Sequence, residues 1–505
     1  MTGAMASTSV GTGAYKITTN AMQHITRRAV SALAGAPAAA IKNTEVFTRF
    51  GDPKPAPHTH AAVVSSLAPT QVTVLESGLR VATERVPHAL SATVGVWIDA
   101  GSRYESAATN GTAHFLEHLA FKGTKSRTQY DLEKEIEYRG AHLNAYTTRE
   151  QTCYYAKVLK GDVGYGMEVL GDILQHSTLD AGAVERERGT ILREMEEVEK
   201  MPEEMLFDHL HATAFQHSPL GRTILGPAEN IRSITRDYLA DYVAQHYTAP
   251  RMVIVGTGAV DHAELVKFAE KNFGGLPTHP TTAAELVRAE PAKFTGSEVR
   301  VRDDDMPALN FAIGVQGASW KDPDSIVLQV MQTIIGSWSK NTIVGANSGS
   351  ELAQVAAANG LCSSFSAFST NYHDTGLFGV SAVAEPGSDL EDLSWAICDA
   401  MTSMAYNVRE DAILRAKNQL KSNILMSMEG TTATAEEIGR QLLVYGRRIS
   451  PAEMFARIDA VDAAAIKRVA NRFIKDNDIV LASIGPSQDL PDYSWLRRRT
   501  YWLTY

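Results

Sequence analysis

The order of apolar and polar positions shows one pattern that occurs twice along the chain. Residues 71–83 alternate like two strands around a Ser-Gly turn, and residues 92–100 form a further apolar strand that leads into GSRYES. A helical pattern begins near Asn110. About 217 residues later, a strand at 308–316 leads into GASWKDPDS and a helical run at 326–335. The pattern predicts one strand–turn–helix unit used twice.

The ends of the two halves also match. Residues 241–260 and 468–487 each combine a helix, a short polar break and an apolar strand. We therefore expect an α+β protein with two homologous α/β-sandwich domains, 66–275 and 305–505, joined by a proline-containing linker at 276–304. Each domain is expected to hold a mixed, mostly antiparallel sheet with helices on one face. Together they would enclose a cavity, and binding sites favour such domain interfaces.

The N-terminal segment differs from the rest of the chain. It has no Asp or Glu before Thr44, but it contains Lys16, Arg27, Arg28 and Lys42 among many Ser, Thr and Ala residues. A basic, acid-poor and loosely amphipathic segment predicts a mitochondrial transit peptide over residues 1–45. A disordered tail and a secretory signal are the alternatives. Residues 46–65 are predicted to be a linker.

Composition and charge exclude several classes of protein. The 505-residue chain has a formal net charge of −10, which does not favour nucleic-acid binding and suits cationic ligands. It has no run of about 18 apolar residues, so no membrane span is predicted. Its three scattered cysteines do not suggest a disulfide framework and fit a reducing compartment.

The segment His114-Phe115-Leu116-Glu117-His118 carries the strongest chemical signal. On a helix, His114 and His118 share a face, with Glu117 about 60° away from His114. Two imidazoles can hold zinc, and the nearby carboxylate can accept a proton from water. This order inverts the more common H-E-x-x-H motif of zinc peptidases. The alternative is a structural helix with surface histidines.

A catalytic zinc site needs a third protein ligand, and an acidic helical run downstream offers candidates. Glu187 and Glu194 are seven residues apart, so they share a helical face, and either could approach the histidines. The other carboxylates there, such as Glu196 and Glu197, are expected to form a solvated face. The corresponding run of the second half, 326–335, has no histidine. One half of the chain is therefore predicted to carry the site.

Several segments then resemble a known family. HFLEHLAFKGT, LNAYTTREQTCYYAKVL, ERGTILREMEEVE and YHDTGLFG occur in this chain, which ends in WLRRRTYWLTY. These segments resemble the pitrilysin-type, inverted-motif zinc peptidases. Within that family they are most similar to the β-type subunits of mitochondrial processing peptidase and to core subunit 1 of ubiquinol–cytochrome c reductase. The resemblance extends from about Val72 to the end of the chain.

The resemblance implies roles for the residues of the motif. His114, His118 and Glu194 would be the ligands of one Zn²⁺ per chain, because the family's third ligand lies 76 residues after the second histidine. Glu117 would be the general base. Glu187 would assist catalysis by orienting a ligand or by holding charge near the metal.

The resemblance also implies a substrate site. The strand Asn144-Ala145-Tyr146 would pair with an extended substrate, and Phe121 would line the pocket for the residue after the cut. Glu204 and Asp208 would hold an arginine upstream of the cut. The alternatives are core packing for Phe121 and ordinary surface charge for the two carboxylates. Tyr372 could assist the oxyanion, although packing is its simpler role.

The function implied is a zinc metalloendopeptidase subunit that removes presequences from proteins imported into mitochondria and also serves as a core subunit of the reductase. The expected partners are an α-type processing peptidase subunit similar to core subunit 2, basic presequence peptides and other reductase subunits. No long glycine-rich loop of the α type is visible, which favours the β type. The expected location is the mitochondrial matrix or the matrix face of the inner membrane. A non-catalytic core subunit and a general oligopeptidase are the alternatives.

Overall fold

The computed structural model describes residues 69–279, 281–342, 344–345 and 347–500, all within one compact unit. The predicted transit peptide, 1–45, and the linker, 46–65, lie outside the described residues, as do the last five residues of the chain. No helix in the described ranges is both long enough and apolar enough to cross a membrane.

The first half of the chain forms a six-stranded sheet with the order β1-β2-β6-β3-β5-β4. Strands β2 and β6 are parallel, and the other neighbours are antiparallel. The strands are β1 Gln71–Val74, β2 Arg80–Arg85, β3 Ser91–Ile98, β4 His142–Thr147, β5 Thr152–Leu159 and β6 Met252–Gly258. The helices are α1 Thr112–Leu119, α2 Gln129–Tyr138, α3 Val163–Gln175, α4 Ala181–Val198, α5 Pro202–Ala214, α6 Ala228–Ser233, α7 Arg236–His246 and α8 His262–Phe273.

The second half forms another six-stranded sheet with the order β7-β12-β8-β11-β10-β9, in which only β7 and β12 are parallel. The strands are β7 Ser297–Arg302, β8 Leu309–Gly317, β9 Ser337–Ser339, β10 Ser364–Asn371, β11 Gly376–Ala384 and β12 Ile479–Gly485. The helices are α9 Ala283–Ala289, α10 Asp324–Ile335, α11 Glu351–Asn359, α12 Leu390–Thr402, α13 Glu410–Ser427, α14 Thr431–Tyr445, α15 Pro451–Asp459, α16 Ala463–Phe473 and α17 Tyr493–Arg498.

The two sheets share a core order, which confirms the predicted fold class of two α/β domains with mixed, mostly antiparallel sheets. The series β2-β6-β3-β5-β4 corresponds to β7-β12-β8-β11-β10. The segment 276–304, which was expected to be a linker, contains α9 and β7. That linker therefore ends before Ser297, because Ser297–Arg302 is a strand of the second sheet. The other domain boundaries stay predictions.

The central strands explain why each half folds around its own core. Every residue of β6 and of β12 is buried, as expected for strands covered on both faces. On one face of the first sheet, Val94, Val96 and Ile98 pack with helices of the first half in a single apolar cluster. The second half has an equivalent cluster of its own.

The other face of each sheet is covered by a helix from the opposite half, which the sequence did not reveal. Helix α5 packs on β12 and β8, with Leu206 and Leu210 against Val480 and Ala482. Helix α14 packs on β6 and β3, where its apolar residues join Trp97. The two halves therefore exchange helices, and each sheet depends on the other half to complete its burial.

Candidate metal centre

The short helix α1 carries the motif and begins at a backbone position that requires glycine. Gly111 has φ +105°, and a Cβ there would lie 2.7 Å from the carbonyl oxygen of Leu225 and from Cδ1 of Ile231. The helix packs against α4, α7 and β4. Since α4 carries the acidic residues of the predicted site, this packing determines which carboxylates reach the histidines.

A buried carboxylate fixes the start of α1. Glu105, which is 5% exposed, accepts hydrogen bonds from the backbone amides of Gly111 at 2.9 Å and Ala113 at 2.6 Å, and from the Asn110 side chain at 2.8 Å. Burial raises the pKa of Glu105 to about 7, although these hydrogen bonds oppose the shift. Unpaired amides at a helix N-terminus favour such an acceptor. Glu105 therefore holds the helix that carries the motif.

Two histidines and one glutamate converge between α1 and α4. Nε2 of His118 lies 2.9 Å from Oε2 of Glu194, and Nε2 of His114 lies 3.7 Å from Oε1 of the same carboxylate. The candidate ligand atoms of these three residues all lie within 4.8 Å of one another. They form the only such group of three or more His, Cys, Asp or Glu residues in the part of the chain that the structure describes.

The donor set fits a divalent metal ion. Two imidazole nitrogens and one carboxylate oxygen match the three protein ligands of a catalytic zinc site. Hydrogen bonds from His114 and His118 hold the pKa of Glu194 well below its usual range, so the carboxylate is ionised. Nε2 of His114 faces Glu194, whereas Nδ1 of the same ring is buried and has no hydrogen-bond partner among the described residues. A divalent metal site is therefore supported by the chemistry of the residues present.

Glu187 lies behind His118 on the same face of α4 as Glu194. Its Oε2 is 3.4 Å from Nδ1 of His118, and its Oε1 is 3.0 Å from Nζ of Lys122. Burial lowers the pKa of His118, but the carboxylates of Glu194 and Glu187 outweigh burial and raise it overall. A carboxylate at the second nitrogen of a ligating imidazole fixes the orientation of that ring. Glu187 lies where such a role requires a carboxylate, and the role itself stays a prediction.

Glu117 lies on α1 between the two histidines. Its side chain is half-buried, and its carboxylate makes no hydrogen bond or ion pair with any residue that the structure describes. Glu117 is thus available for proton transfer.

Phe121 follows the helix and packs partly buried against the first core, so core packing accounts for at least part of its surface.

Strand β4 lies at the edge of the first sheet, as the substrate role of residues 144–146 requires. Asn144 is exposed, and its side chain accepts a hydrogen bond from the amide of Ala145 at 2.8 Å and donates to the hydroxyl of Tyr155 at 3.1 Å. The Tyr146 hydroxyl is 3.3 Å from the indole nitrogen of Trp97, on the face covered by α14. The Tyr146 side chain is therefore a packing element.

The remaining candidates lie on or next to α5. Glu204 is exposed, whereas Asp208 is half-buried, with its Oδ1 2.6 Å from Nη2 of Arg149. Asp208 is therefore already paired with a cation of the chain itself. Tyr372 is buried, and its hydroxyl is 2.7 Å from Nε2 of His211, which agrees with the packing alternative.

Three residues next to the site were missed by sequence reasoning. Glu105 holds the start of α1, and Arg149 pairs with Asp208, through contacts that no local sequence pattern indicates. Lys122 follows the motif immediately, four residues after His118, and this spacing was the available signal.

Family models match most of the chain. Residues 80–228 match the model for insulinase (peptidase family M16), and residues 233–420 match the model for the M16 inactive domain. A "Probable mitochondrial-processing peptidase subunit beta, mitochondrial" of Arabidopsis thaliana is 58% identical over 459 residues, which cover 91% of this chain and 86% of that protein. A "Mitochondrial-processing peptidase subunit beta" of Blastocladiella emersonii is 52% identical, covering 86% of this chain and 93% of that protein.

Solved structures show the same fold. A chain of "Complex III2 from Candida albicans, Inz-5 bound" aligns with a TM-score of 0.76 and 25% identity, over 86% of this chain and all of that one. A chain of "The crystal structure of a protease from Helicobacter pylori" aligns with a TM-score of 0.73 and 19% identity, over 83% of this chain and all of that one. With family models over both halves and relatives of this identity, the chain belongs to the insulinase family of peptidases, peptidase family M16.

Proposed function

We propose that the chain is a catalytic, metal-bearing subunit that cleaves N-terminal presequences from proteins imported into mitochondria. The observation that carries this proposal is the convergence of His114, His118 and Glu194 beside Glu117. The high identity to β subunits of mitochondrial processing peptidases supports the substrate class. The excess of acidic residues suits basic presequences.

The metal is proposed to be zinc, one ion per chain, held by His114, His118 and Glu194. Zinc prefers nitrogen and carboxylate ligands in a four-coordinate site with one open position. When bound, it would supply Lewis-acid polarisation of water and of the scissile carbonyl. Glu187 would orient His118, and Lys122 would hold Glu187 in place.

The chain's own residues perform the proton transfers. Glu117 accepts a proton from the attacking water and passes it to the leaving amine nitrogen, so it acts first as a base and then as an acid. Its freedom from ion pairs among the described residues leaves it available for this role. The water oxygen adds to the scissile carbonyl carbon, and the bond from that carbon to the protonated amine nitrogen then breaks.

Substrate binding is proposed to use the free edge of β4. An extended peptide would add as a further strand beside Asn144, Ala145 and Tyr146 through backbone hydrogen bonds. The side chain of Asn144 would then release the Ala145 amide, with which it is bonded in this structure. Phe121 would contact the apolar residue after the cut. Glu204 would attract an upstream arginine, and Asp208 would contribute through the oxygen that Arg149 does not hold.

The proposal is tested with the purified chain, alone and with an α-type subunit. We expect the pair to cleave a presequence peptide and to lose activity with a chelator, with recovery on addition of zinc. The chain alone should bind zinc but cleave poorly, because presequence capture is expected to need the α-type partner. An active pair that is insensitive to chelation would contradict the metal assignment, and full activity of the single chain would contradict the need for a partner.

Residence in the respiratory ubiquinol–cytochrome c reductase is a second candidate role, compatible with the first. The fold similarity to a chain of a complex III structure favours it. In that case the protein would lie at the matrix face of the inner membrane through its partners, and otherwise in the matrix. Native electrophoresis of solubilised mitochondria distinguishes a reductase core subunit from a free heterodimer, because the core subunit migrates with cytochromes b and c1 and the free heterodimer does not.

The N-terminal segment is proposed to be a transit peptide removed between about residue 29 and residue 50. N-terminal sequencing of the organelle-purified protein tests this. A mature protein that still begins near Met1 would refute it.

A further inference from the structure

The turn between β4 and β5 is held by residues of the second half. Glu150, which is 5% exposed, accepts hydrogen bonds from the backbone amide of His373 through both carboxylate oxygens, at 3.0 and 3.1 Å. His373 lies in the turn between β10 and β11. Because β4 and β5 correspond to β10 and β11, equivalent hairpin turns of the two sheets contact each other.

Arg103 joins the two turns. Its guanidinium is buried, with Nη1 2.6 Å from Oε1 of Glu150 and both terminal nitrogens 2.7 Å from the two oxygens of Asp374. Asp374 also accepts a hydrogen bond from the amide of Ala292 at 2.8 Å. One buried cation is thus shared by a carboxylate from each half. We name Arg103, Glu150, His373 and Asp374 the hairpin clasp.

Close backbone contacts around the hairpin clasp leave no space for the β4–β5 turn to shift. The amide of Arg103 donates to the carbonyl of Arg149 at 2.8 Å. A Cβ at Gly101 would lie only 2.4 Å from the carbonyl oxygen of Thr148. The residues directly after β4 are therefore fixed both by the segment before α1 and by the second half.

This arrangement bears on where a substrate would lie. Strand β4 has a free edge and packs against α1, which carries His114 and His118. A small rotation of the β4–β5 hairpin would move an added strand relative to the ligand cluster, and displacements of about 1 Å can cost roughly a hundredfold in rate.

We propose that Arg103 and Asp374 are positioning residues: through the hairpin clasp, the half without the metal motif sets the alignment of the substrate strand with the metal ligands. This rests on the proposed role of β4. The second half, which has none of the proposed metal ligands, would then contribute to the reaction by positioning the substrate strand.

The test compares Asp374→Asn with the parent chain, each with an α-type subunit. The substitution keeps the side-chain volume but removes one of the two charges that neutralise buried Arg103. We expect kcat on a presequence peptide to fall roughly tenfold or more, while KM changes less than about threefold, because the peptide still pairs with β4 but is misaligned. Zinc content should be unchanged.

Hydrogen exchange supplies a readout independent of activity. In Asp374→Asn, the amides of residues 142–151 should exchange faster, while those of β6 and β12 should stay protected. The matched control is Asp411→Asn, which removes an exposed ion pair with Arg409 in the same half and should change neither quantity. If Asp374→Asn does not fold, Glu150→Gln tests the clasp from the other turn.

Unchanged kcat and exchange would overturn the proposal, and so would zinc loss or faster exchange throughout both sheets, since the clasp would then only stabilise the fold. If the parent chain does not cleave presequences, the proposed function fails. The local exchange comparison still shows whether the clasp holds β4.

Discussion

Nη2 of Arg149 lies 2.6 Å from Oδ1 of Asp208, so one of the two carboxylates expected to bind a substrate arginine is already the counter-ion of an internal arginine. Arg149 is largely buried, and its Nε has no hydrogen-bond partner among the described residues. Asp208 is the only ion-pair partner of Arg149 in that part of the chain. The simple picture of two equivalent free carboxylates on one helical turn is therefore replaced by an unequal pair.

The unequal pair predicts that Glu204 does most of the arginine selection. Glu204→Gln should lower kcat/KM about tenfold on a presequence with an arginine upstream of the cut, since a hydrogen bond to a charged group contributes roughly 1.5–3 kcal/mol. It should have little effect on the same peptide with alanine there. Glu203→Gln, the adjacent exposed carboxylate on α5, is the control. Equal losses on both peptides would show that Glu204 does not contact the arginine.

Asp208→Ala is predicted to act mainly on stability. It leaves the largely buried Arg149 without its counter-ion, and breaking such a pair costs about 3–5 kcal/mol when both groups are fully buried. Because Asp208 is about a quarter exposed, we expect a smaller loss of roughly 2 kcal/mol in the free energy of unfolding. Chemical denaturation measures it. If the losses from Asp208→Ala and from Arg149→Met simply add in the double variant, the pair is not coupled.

Lys122 and Glu187 are predicted to support metal binding from behind His118. Glu187→Gln should weaken zinc affinity roughly 10–100-fold, the range typical of residues that orient a ligand. Lys122→Met should weaken it in the same direction by less, because Glu187 keeps its contact with His118. Competition with a chromogenic chelator measures both. The control is Lys125→Met, because Lys125 is exposed and lies three residues further along the chain. If Lys125→Met changes zinc affinity as much as Lys122→Met does, Lys122 has no specific role.

The helix exchange predicts opposite effects for two glycine substitutions. A Cβ at Gly439 of α14 would lie 2.4 Å from the buried indole of Trp97, so Gly439→Ala should lower the free energy of unfolding by about 1–3 kcal/mol. At Gly189 of α4 nothing lies within 4 Å of the new atom, so Gly189→Ala should raise it by about 0.5–1 kcal/mol. Denaturant titration of both variants measures the two changes in the free energy of unfolding. Equal effects of the two changes would contradict the close packing of α14 on Trp97.

Glu105 predicts a pH dependence of stability. Its folded pKa of about 7 lies above the value of 4.5 for an ordinary Glu, so the folded state binds more protons between these values. The contribution of Glu105 to the free energy of unfolding is fully present below about pH 4.5 and is lost as the pH rises through about 7. Between these values the free energy of unfolding falls by up to roughly 1.4 kcal/mol per pH unit. The stability difference between the parent chain and Glu105→Gln, measured from about pH 5 to 8, isolates this group. A difference that is independent of pH would show that Glu105 does not titrate in this range.

The motif and its helix could be predicted because they depend on local spacing, whereas the choice of Glu194 over Glu187 as the third ligand came only from the family resemblance and stays a prediction. His114 and His118 are one helical turn apart, and Glu187 and Glu194 two turns apart, so a helical period suffices to place each pair on one face. The two-domain fold followed in the same way, from a strand–helix pattern that recurs. These features need no knowledge of which elements pack together.

Most of the unpredicted features depend on contacts between distant parts of the chain. Arg149 meets Asp208 only because α5 packs on the second sheet, and Arg103 meets Asp374 only because equivalent hairpins face each other. Strand β7 falls within the predicted linker because it is a short edge strand with alternating charged residues, close to Pro291. Edge strands with one solvated side have little hydrophobic signal.

Glu117 is proposed to act as a base beside a zinc ion held by His114, His118 and Glu194. The most direct measurement is zinc content together with presequence cleavage for Glu117→Gln, paired with an α-type subunit. We expect one zinc ion per chain, as in the parent protein, and a loss of kcat of roughly a hundredfold or more, since the ligands are intact and the proton acceptor is gone. Unchanged turnover, or loss of zinc from Glu117→Gln, would contradict it.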